Sequence, residues 1–274
     1  MTVVVKIGGA KAVDPAGAIG DIADLVDDGE PVTVVHGGST AVDDLLARLG
    51  IDPTYVETPN GVVGRFTDEA TMEAFTMAMG HVNSDLVATF REAGVDAVGL
   101  SGVDGGLVTG PRKSAVRVID DGKKKIKRGD HSGKIESVNA DLLETLLSDG
   151  YTPVAGPPML ADDGVPVNTD ADRAAAAVAG ALGATLVVLT DVSGVYADPD
   201  DPSTLIESVA TPDEYDALTD AAEGFMSKKV MAATEALESG ASEVVVADAN
   251  VDAPVTAALG GSGTHIHRSA LEDL

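Results

Sequence analysis

Six stretches of the chain are apolar with no polar alternation: TVVVKI (2–7), VTVVH (32–36), VDAVGL (95–100), TPVAG (152–156), TLVVLT (185–190) and EVVVAD (243–248). Such β-branched runs predict strands buried on both faces, as in a parallel sheet covered by helices on each side. The amphipathic stretches between them predict helices near 16–28, 40–49, 68–92, 137–148, 171–182 and 226–239. Strands alternating with helices make an α/β fold, a three-layer αβα sandwich with a mainly parallel central sheet and right-handed crossovers. A chain of 274 residues suffices for one large domain or two lobes, and no repeat of 20–50 residues interrupts the alternation.

Two regions break the rhythm. Residues 104–134 are glycine-rich and charged, and RVIDDGKKKI predicts a hairpin turning at Asp121-Gly122. Residues 191–222 are acidic and read as irregular.

Charge changes the picture of the surface. The formal net charge is −27, with 45 Asp and Glu against 18 Lys and Arg. The acid is spread over helices and loops, which resembles proteins of a high-salt cytoplasm, where screening makes self-repulsion tolerable. Such a surface repels nucleic acid, and the interleaved aromatics of a base-stacking platform are missing. Against this background, nine of the eighteen cations lie between Arg112 and Lys134, with KKKIKRGDHSGK at 123–134. A run of this kind is either a solvated hairpin or a docking site for an acidic partner. No apolar run approaches the ~20 residues that span a bilayer, and a strand-like segment starts at residue 2, so a cytoplasmic protein is expected. The absence of cysteine excludes disulfides, thiolate metal sites and cysteine nucleophiles.

The candidate chemistry lies at strand ends. The first predicted strand ends in Lys6-Ile7-Gly8-Gly9, and the second in His36-Gly37-Gly38-Ser39-Thr40 with a helix directly after it. Paired glycines at the carboxyl end of a parallel strand let backbone N–H groups approach an anion, and a helix N-terminus adds a favourable dipole. A single such turn also serves as a plain strand–helix connection; two of them, one preceded by lysine, point to a ligand. Neither GxxxxGK[ST] nor a G-x-G-x-x-G after a strand is present. Arg65, in GVVGRFTDEA, reads as a bidentate clamp for a carboxylate or as a surface arginine. Asn168, Asp170 and Asp172 precede an alanine-rich helix in PVNTDADRAAAAVAGALGA, where N-capping accounts for part of the acid. LTDVSGVYADPD offers a glycine-containing loop for a nucleotide. In GFMSKKVMAATEAL, Lys228 and Lys229 start a helix against its dipole, which hints at an anionic ligand.

Taken in order, KIGG, HGG, GRFTD, NTDAD, LTDVSGV, GFMSKKV and SGTHI resemble the amino acid kinase family, in its acylglutamate-kinase-like branch and with a carbamate-kinase-like fold, across nearly the whole chain. RFTDEATMEAF, VGLSGVDGGL and the basic segment are similar to the kinases acting on glutamate or 2-aminoadipate linked to the small acidic carrier protein LysW. The resemblance implies ATP-dependent phosphorylation of a side-chain carboxylate to an acyl phosphate, in arginine or lysine biosynthesis. It implies a homodimer with an acyl-substrate lobe (1–170, including the basic hairpin 112–134) and a nucleotide lobe (171–274). It implies Lys6 and Lys229 as the cations on the transferring phosphoryl group, with Lys228 as an alternative to Lys229, and Asp172 as their organiser. Gly37, Gly38, Arg65 and Asn168 would bind the substrate, and Gly8, Gly9, Asp191, Gly194 and Tyr196 the nucleotide. Mg²⁺ would arrive with ATP, with no protein metal site. Lys123, Lys124, Lys125, Lys127 and Arg128 would dock the carrier.

Ser39 stands where the family commonly has a third glycine, and Phe225 where it has GGM, which puts both loop geometries in question. Free N-acetylglutamate as substrate, or a non-catalytic amino-acid-binding regulator, are the competing readings; Lys6, Lys229 and Asp172 count against the regulator. Glutamate and 2-aminoadipate differ by one methylene, worth only ~1–3 kcal/mol in a pocket, so both stand as acceptors.

Overall fold

The structure, a computed structural model, describes residues 1–8, 15–59, 61, 63–120, 122–222 and 225–271, with Phe225 by its backbone alone. The chain opens with β1 (Val3–Ile7), α1 (Pro15–Asp27), β2 (Val32–His36) and α2 (Ser39–Leu49). The strands β3 (Thr54–Glu57) and β4 (Val63–Phe66) lead into the long α3 (Glu69–Glu92). Next come β5 (Ala97–Gly102), β6 (Val108–Gly110), β7 (Arg112–Asp120), β8 (Lys123–Gly133), β9 (Ser137–Val138) and α4 (Ala140–Ser148). Strands β10 (Thr152–Ala161) and β11 (Pro166–Val167) precede α5 (Ala171–Leu182), β12 (Thr185–Thr190) and β13 (Ser208–Val209). The last elements are α6 (Pro212–Ala221), α7 (Phe225–Ser239), β14 (Glu243–Asp248), α8 (Pro254–Leu259) and β15 (Thr264–His267).

Among the described residues the central sheet has eleven strands. Its path is β13-β15-β14-β12-β1-β2-β10-β6-β9, with β5 and β11 also paired to β10. The pairings from β14 through β12, β1 and β2 to β10 are parallel, and β15, β9 and β11 join antiparallel. Every residue of β1, β2 and β12 is buried, as two-sided coverage requires. Side chains alternate between the faces of a strand. Val4, Leu186 and Val244 accordingly join the cluster under α5 and α7, while Val3, Val187 and Val245 pack with Ile19 and Ile22 of α1 and Val255 of α8. The fold is the three-layer α/β sandwich the pattern predicts.

Two packing details set the site. The buried alanines of α5 let α7 approach closely, and a Cβ on Gly180 would lie 1.9 Å from Ser239 Oγ. On the other face, the buried Asp21 of α1 accepts bonds from the N–H groups of Val255 (2.6 Å) and Thr256 (2.9 Å), tying the first helix to α8.

A second, antiparallel sheet runs β4-β3-β7-β8. Its hairpin pairs Asp120 with Lys123 across the expected turn, and Gly122 has φ 71° there; Asp121 lies outside the described residues. The stretch read as irregular at 191–222 contains α6. It begins with a capping box, in which the Thr211 side chain accepts from Glu214 N–H and the Glu214 carboxylate accepts from Thr211 N–H. No helix among the described residues is long and apolar enough to cross a membrane.

Candidate active site

The carboxyl end of β1 and the N-terminal turns of α2, α5 and α7 border a cavity of about 510 Å³. Lys6 reaches it from β1, anchored by parallel neighbours Val35 and Val188. Its Nζ lies 2.6 Å from Asp172 Oδ1, and Lys229 Nζ lies 3.7 Å from Asp172 Oδ2. Asp172 sits in the first turn of α5, where Asp170 as N-cap accepts from the N–H groups of Asp172 (2.9 Å) and Arg173 (3.2 Å). Asp170 therefore does have the capping role open from sequence, and Asp172 is left facing two ammonium groups. Lys228 also lines the cavity, and it donates to Val63 O at 3.0 Å.

The electrostatics follow from burial and proximity. Burial resists ionisation of Asp172, but the Lys6 and Lys229 charges and their hydrogen bonds outweigh it and hold the carboxyl below its usual range. Burial, then repulsion from Lys6, pushes Lys229 below an ordinary lysine; Asp172, Asp170 and Asp191 oppose this. The cavity is lined by the cations Lys6, Arg65, Lys228 and Lys229 and by the carboxylates Asp43, Asp170 and Asp172.

The glycine turn is more specialised than its sequence suggests. Gly37 N–H donates to Ile7 O at 3.2 Å and joins the ends of β2 and β1, so this amide is used by the fold. Gly38 is the N-cap position of α2, with φ −173° and ψ 26°, and a Cβ there would lie 2.7 Å from Met79 Sδ of α3. Ser39 is the first residue of α2 with no left-handed backbone, so a side chain is accommodated without strain.

Arg65 lies on β4 and not in a loop, with its side chain 9% exposed. Its Nη2 donates to Asp43 Oδ1 (2.7 Å) and Ser39 O (3.1 Å), and its buried Nε has no hydrogen-bond partner. Tyr55, opposite Arg65 on β3, also donates to Asp43. Asn168 donates through Nδ2 to Thr67 Oγ1 (2.9 Å) and pairs by its backbone with His131 and Gly133 at the base of the hairpin. His131 N–H donates to Thr67 O at 2.7 Å, and Lys127 Nζ sits 4.1 Å from the Phe66 ring centroid. The basic hairpin is thus fastened to the wall that carries Arg65 and Asn168. Within it, Lys123, Lys124, Lys125 and Arg128 are exposed, with Lys125 paired to Asp120 at 2.6 Å.

At the carboxyl ends of β12 and β14 lies a second cavity of about 420 Å³, lined by Ser193, Glu207, Asp248, Asp252 and Gly263 among others. Beside it, Gly194 has φ 159°, and a Cβ there would lie 2.5 Å from Thr264 Oγ1, which accepts from Val195 N–H at 2.8 Å. Asp191 accepts from Thr190 Oγ1, and Tyr196 bridges to Leu205. Gly8 follows β1 directly; Gly9 lies outside the described residues. A third cavity, about 810 Å³, shares Asn168, Thr169 and Asp170 with the first but contains neither Lys6 nor Lys229. Among the described residues no cluster of His, Asp and Glu side chains is arranged to hold a metal ion.

Asp43, Tyr55, Thr67, Asp248 and Asp252 escaped the sequence reading. The last two carried one usable signal: they follow the carboxyl end of a buried parallel strand, where such sheets place ligands.

A parallel α/β sheet whose strand ends bring two lysines to one carboxylate is an arrangement suited to an anionic ligand. Residues 1–248 match the amino acid kinase family, and the chain belongs to that family. It is 42% identical over 269 residues to a LysW-aminoadipate kinase of Thermus thermophilus, covering 96% of this chain and 98% of that one. It is 41% identical over 247 residues to an acetylglutamate kinase of Methanopyrus kandleri, covering 89% and 93%. Among solved structures it superposes on N-acetylglutamate synthase from Neisseria gonorrhoeae, complexed with coenzyme A and N-acetyl-glutamate. The TM-score is 0.76 at 26% identity, over 97% of this chain and 59% of that longer one.

Proposed function

We propose that this kinase transfers the γ-phosphoryl group of ATP to the side-chain carboxylate of glutamate or 2-aminoadipate whose amino group is linked to a small acidic carrier protein. A carboxylate oxygen attacks Pγ, the bond from Pγ to the ADP oxygen breaks, and its electron pair leaves with ADP. The nucleophile is already ionised at pH 7, so no general base is required. The task left to the protein is to overcome repulsion between anions and to stabilise charge on the phosphoryl oxygens. The observation that carries this reading is the Lys6–Asp172–Lys229 arrangement. Lys6 and Lys229 face the phosphoryl oxygens, and Asp172 holds them apart from each other. Gly38 contributes a backbone N–H, and Arg65 and Asn168 hold the acyl substrate. ATP would lie along Gly8, Asp191, Gly194 and Tyr196 toward the cavity of Asp248 and Asp252, with Mg²⁺ arriving with it to offset phosphate charge; Gly9, assigned to the same site, lies outside the described residues.

The carrier is the partner in this reading. It docks on the hairpin through Lys123, Lys124 and Arg128, and its acidity complements the charge. Fastening of the hairpin to Thr67 and Asn168 supports a short path from docking surface to substrate pocket. The acyl-substrate lobe is 1–170 and the nucleotide lobe 171–274, in a cytoplasmic homodimer adapted to high salt, consistent with the net charge of −27.

Trapping the acyl phosphate as a hydroxamate, with MgATP at high salt and carrier-linked glutamate or 2-aminoadipate, tests the reading. ATP-dependent hydroxamate on either substrate is expected. Its absence on both, with amino acid binding retained, favours the non-catalytic regulator. The 41% identity to an acetylglutamate kinase makes free N-acetylglutamate the second reading, to be assayed alongside.

A further inference from the structure

One buried polar group takes no part in the chemistry above. His36, at the end of β2, is 1% exposed, and its ring is enclosed by α3, β5 and β10 through a single side chain, Asn83. Asn83 Nδ2 lies 2.8 Å from Val154 O and 3.0 Å from His36 Nε2. A carbonyl oxygen only accepts, so Val154 O fixes the amide with its NH₂ toward the ring, and His36 Nε2 is the acceptor. Burial, against an opposing bond to Gly37, pushes His36 below the usual histidine range, so the ring is neutral with its one proton on Nδ1. That Nδ1–H donates to Gly37 O at 3.1 Å. A Cβ on Gly156 would lie 2.5 Å from His36 Nε2, so β10 leaves room for the ring only because a glycine stands there.

The Gly37–Gly38 peptide is trans, and in a planar trans peptide the C=O and the following N–H point in opposite directions. Anchoring Gly37 O on the imidazole therefore turns Gly38 N–H away from the ring. Gly38 lines the cavity of Lys6 and Lys229, and its N–H has no hydrogen-bond partner among the described residues. A peptide between two glycines rotates with little steric resistance. A Cβ on Gly38 would lie 2.7 Å from Met79 Sδ, so a side chain there requires Met79 to move.

We propose that Asn83 and His36 form a positioning relay that locks the Gly37–Gly38 peptide with the Gly38 N–H aimed at the transferring phosphoryl group. This rests on the phosphoryl-transfer reading and adds two positioning residues to it. The relay acts through orientation and leaves ATP affinity in the ground state largely alone.

His36→Asn and His36→Gln separate the role of the ring nitrogen from that of ring bulk. Asn carries its NH₂ near the place of Nδ1 and retains the donor to Gly37 O; Gln carries its amide near Nε2 and does not. One lost oxyanion-type donor costs ~10²–10³ in kcat, so a misaligned one in His36→Gln or Asn83→Leu should cost about 10–100-fold. KM for ATP should stay within about twofold, and His36→Asn should recover kcat to within about threefold of wild type. The second readout is the gain in ADP affinity on adding AlF₄⁻, a phosphoryl transition-state mimic, measured by calorimetry on each protein. Wild type and His36→Asn should show the gain, and His36→Gln should lose most of it. Equal loss in His36→Asn and His36→Gln, or wild-type kcat in His36→Gln, overturns the relay. If wild type itself gains nothing from AlF₄⁻, the phosphoryl-transfer reading fails and the relay with it.

Discussion

Asp172 and Lys6 meet at 2.6 Å, one from the first turn of α5 and the other from the end of β1, with the second carboxylate oxygen turned toward Lys229. This contact joins the two halves of the chain at the place where charge has to be managed. One carboxylate lies between two lysines and opposes the burial that pushes Lys229 below an ordinary lysine.

The pH dependence of turnover should report that arrangement. Lys229 titrates below the ordinary lysine value of about 10.4, so kcat should fall as pH rises through the lowered value. Asp172→Asn removes a carboxylate that holds the proton on Lys229 and should move this alkaline limb to lower pH. Lys6→Ala removes a repelling charge and should move it to higher pH, with a plateau at least about 10²-fold lower. The acid side has the opposite sign. Asp172 is depressed in the folded state, so its contribution to stability is present above the unfolded value of about 3.9 and is lost as pH falls through the folded value. The difference in thermal midpoint between wild type and Asp172→Asn should therefore shrink on acidification below about pH 4.

Helix spacing sets the distance from Asp172 to Lys229. Gly180→Ala inserts a methyl against Ser239 where α5 meets α7. Overpacking of this kind costs about 1–3 kcal/mol, read as a lower urea midpoint with unchanged m-value. We expect kcat to drop as well, because α7 carries Lys229 outward. Gly29→Ala, with open space around it but left-handed backbone, should destabilise by strain alone and leave kcat intact.

Arg65 is preset by Asp43, which holds Nη2 while Nε has no partner. Asp43→Ala should raise KM for the acyl acceptor about 10-fold, since a hydrogen bond to a charged group is worth about 1.5–3 kcal/mol. Arg65→Ala should raise it further, and KM for ATP should be unchanged in both. Initial-rate kinetics in the two substrates separate these effects.

For the hairpin, the informative variant is Lys123→Ser, Lys124→Ser and Arg128→Ser together, because Lys127 packs on Phe66 and Lys125 pairs with Asp120. KM for the carrier-linked substrate should rise and lose part of its salt dependence, while KM for ATP stays constant. An unchanged carrier KM returns the hairpin to a solvated surface feature.

The parts of this fold legible in the sequence are those whose residues face one environment throughout. VTVVH, TLVVLT and EVVVAD are buried on both faces, and β2, β12 and β14 take the predicted bounds. The half-exposed β3 and β4 and the short α8 and β15 carry too few residues to establish a period, and the acid of α6 reads as loop. The glycine turns were visible, yet their division of labour was not. Gly37 N–H is committed to Ile7 O, while Gly38 N–H has no partner among the described residues, a tertiary fact. Asp43, Asn83 and Thr67 lie among other polar residues in the sequence, and only the folded chain brings them to Arg65, His36 and Asn168.

The most direct test compares kcat/KM for ATP-dependent hydroxamate formation on carrier-linked glutamate, carrier-linked 2-aminoadipate and free N-acetylglutamate, at high salt and matched concentrations. A carrier-linked substrate preferred over the free one by at least about 10²-fold, and activity lost in Lys6→Ala, is the predicted result. Equal efficiency on free N-acetylglutamate would contradict it.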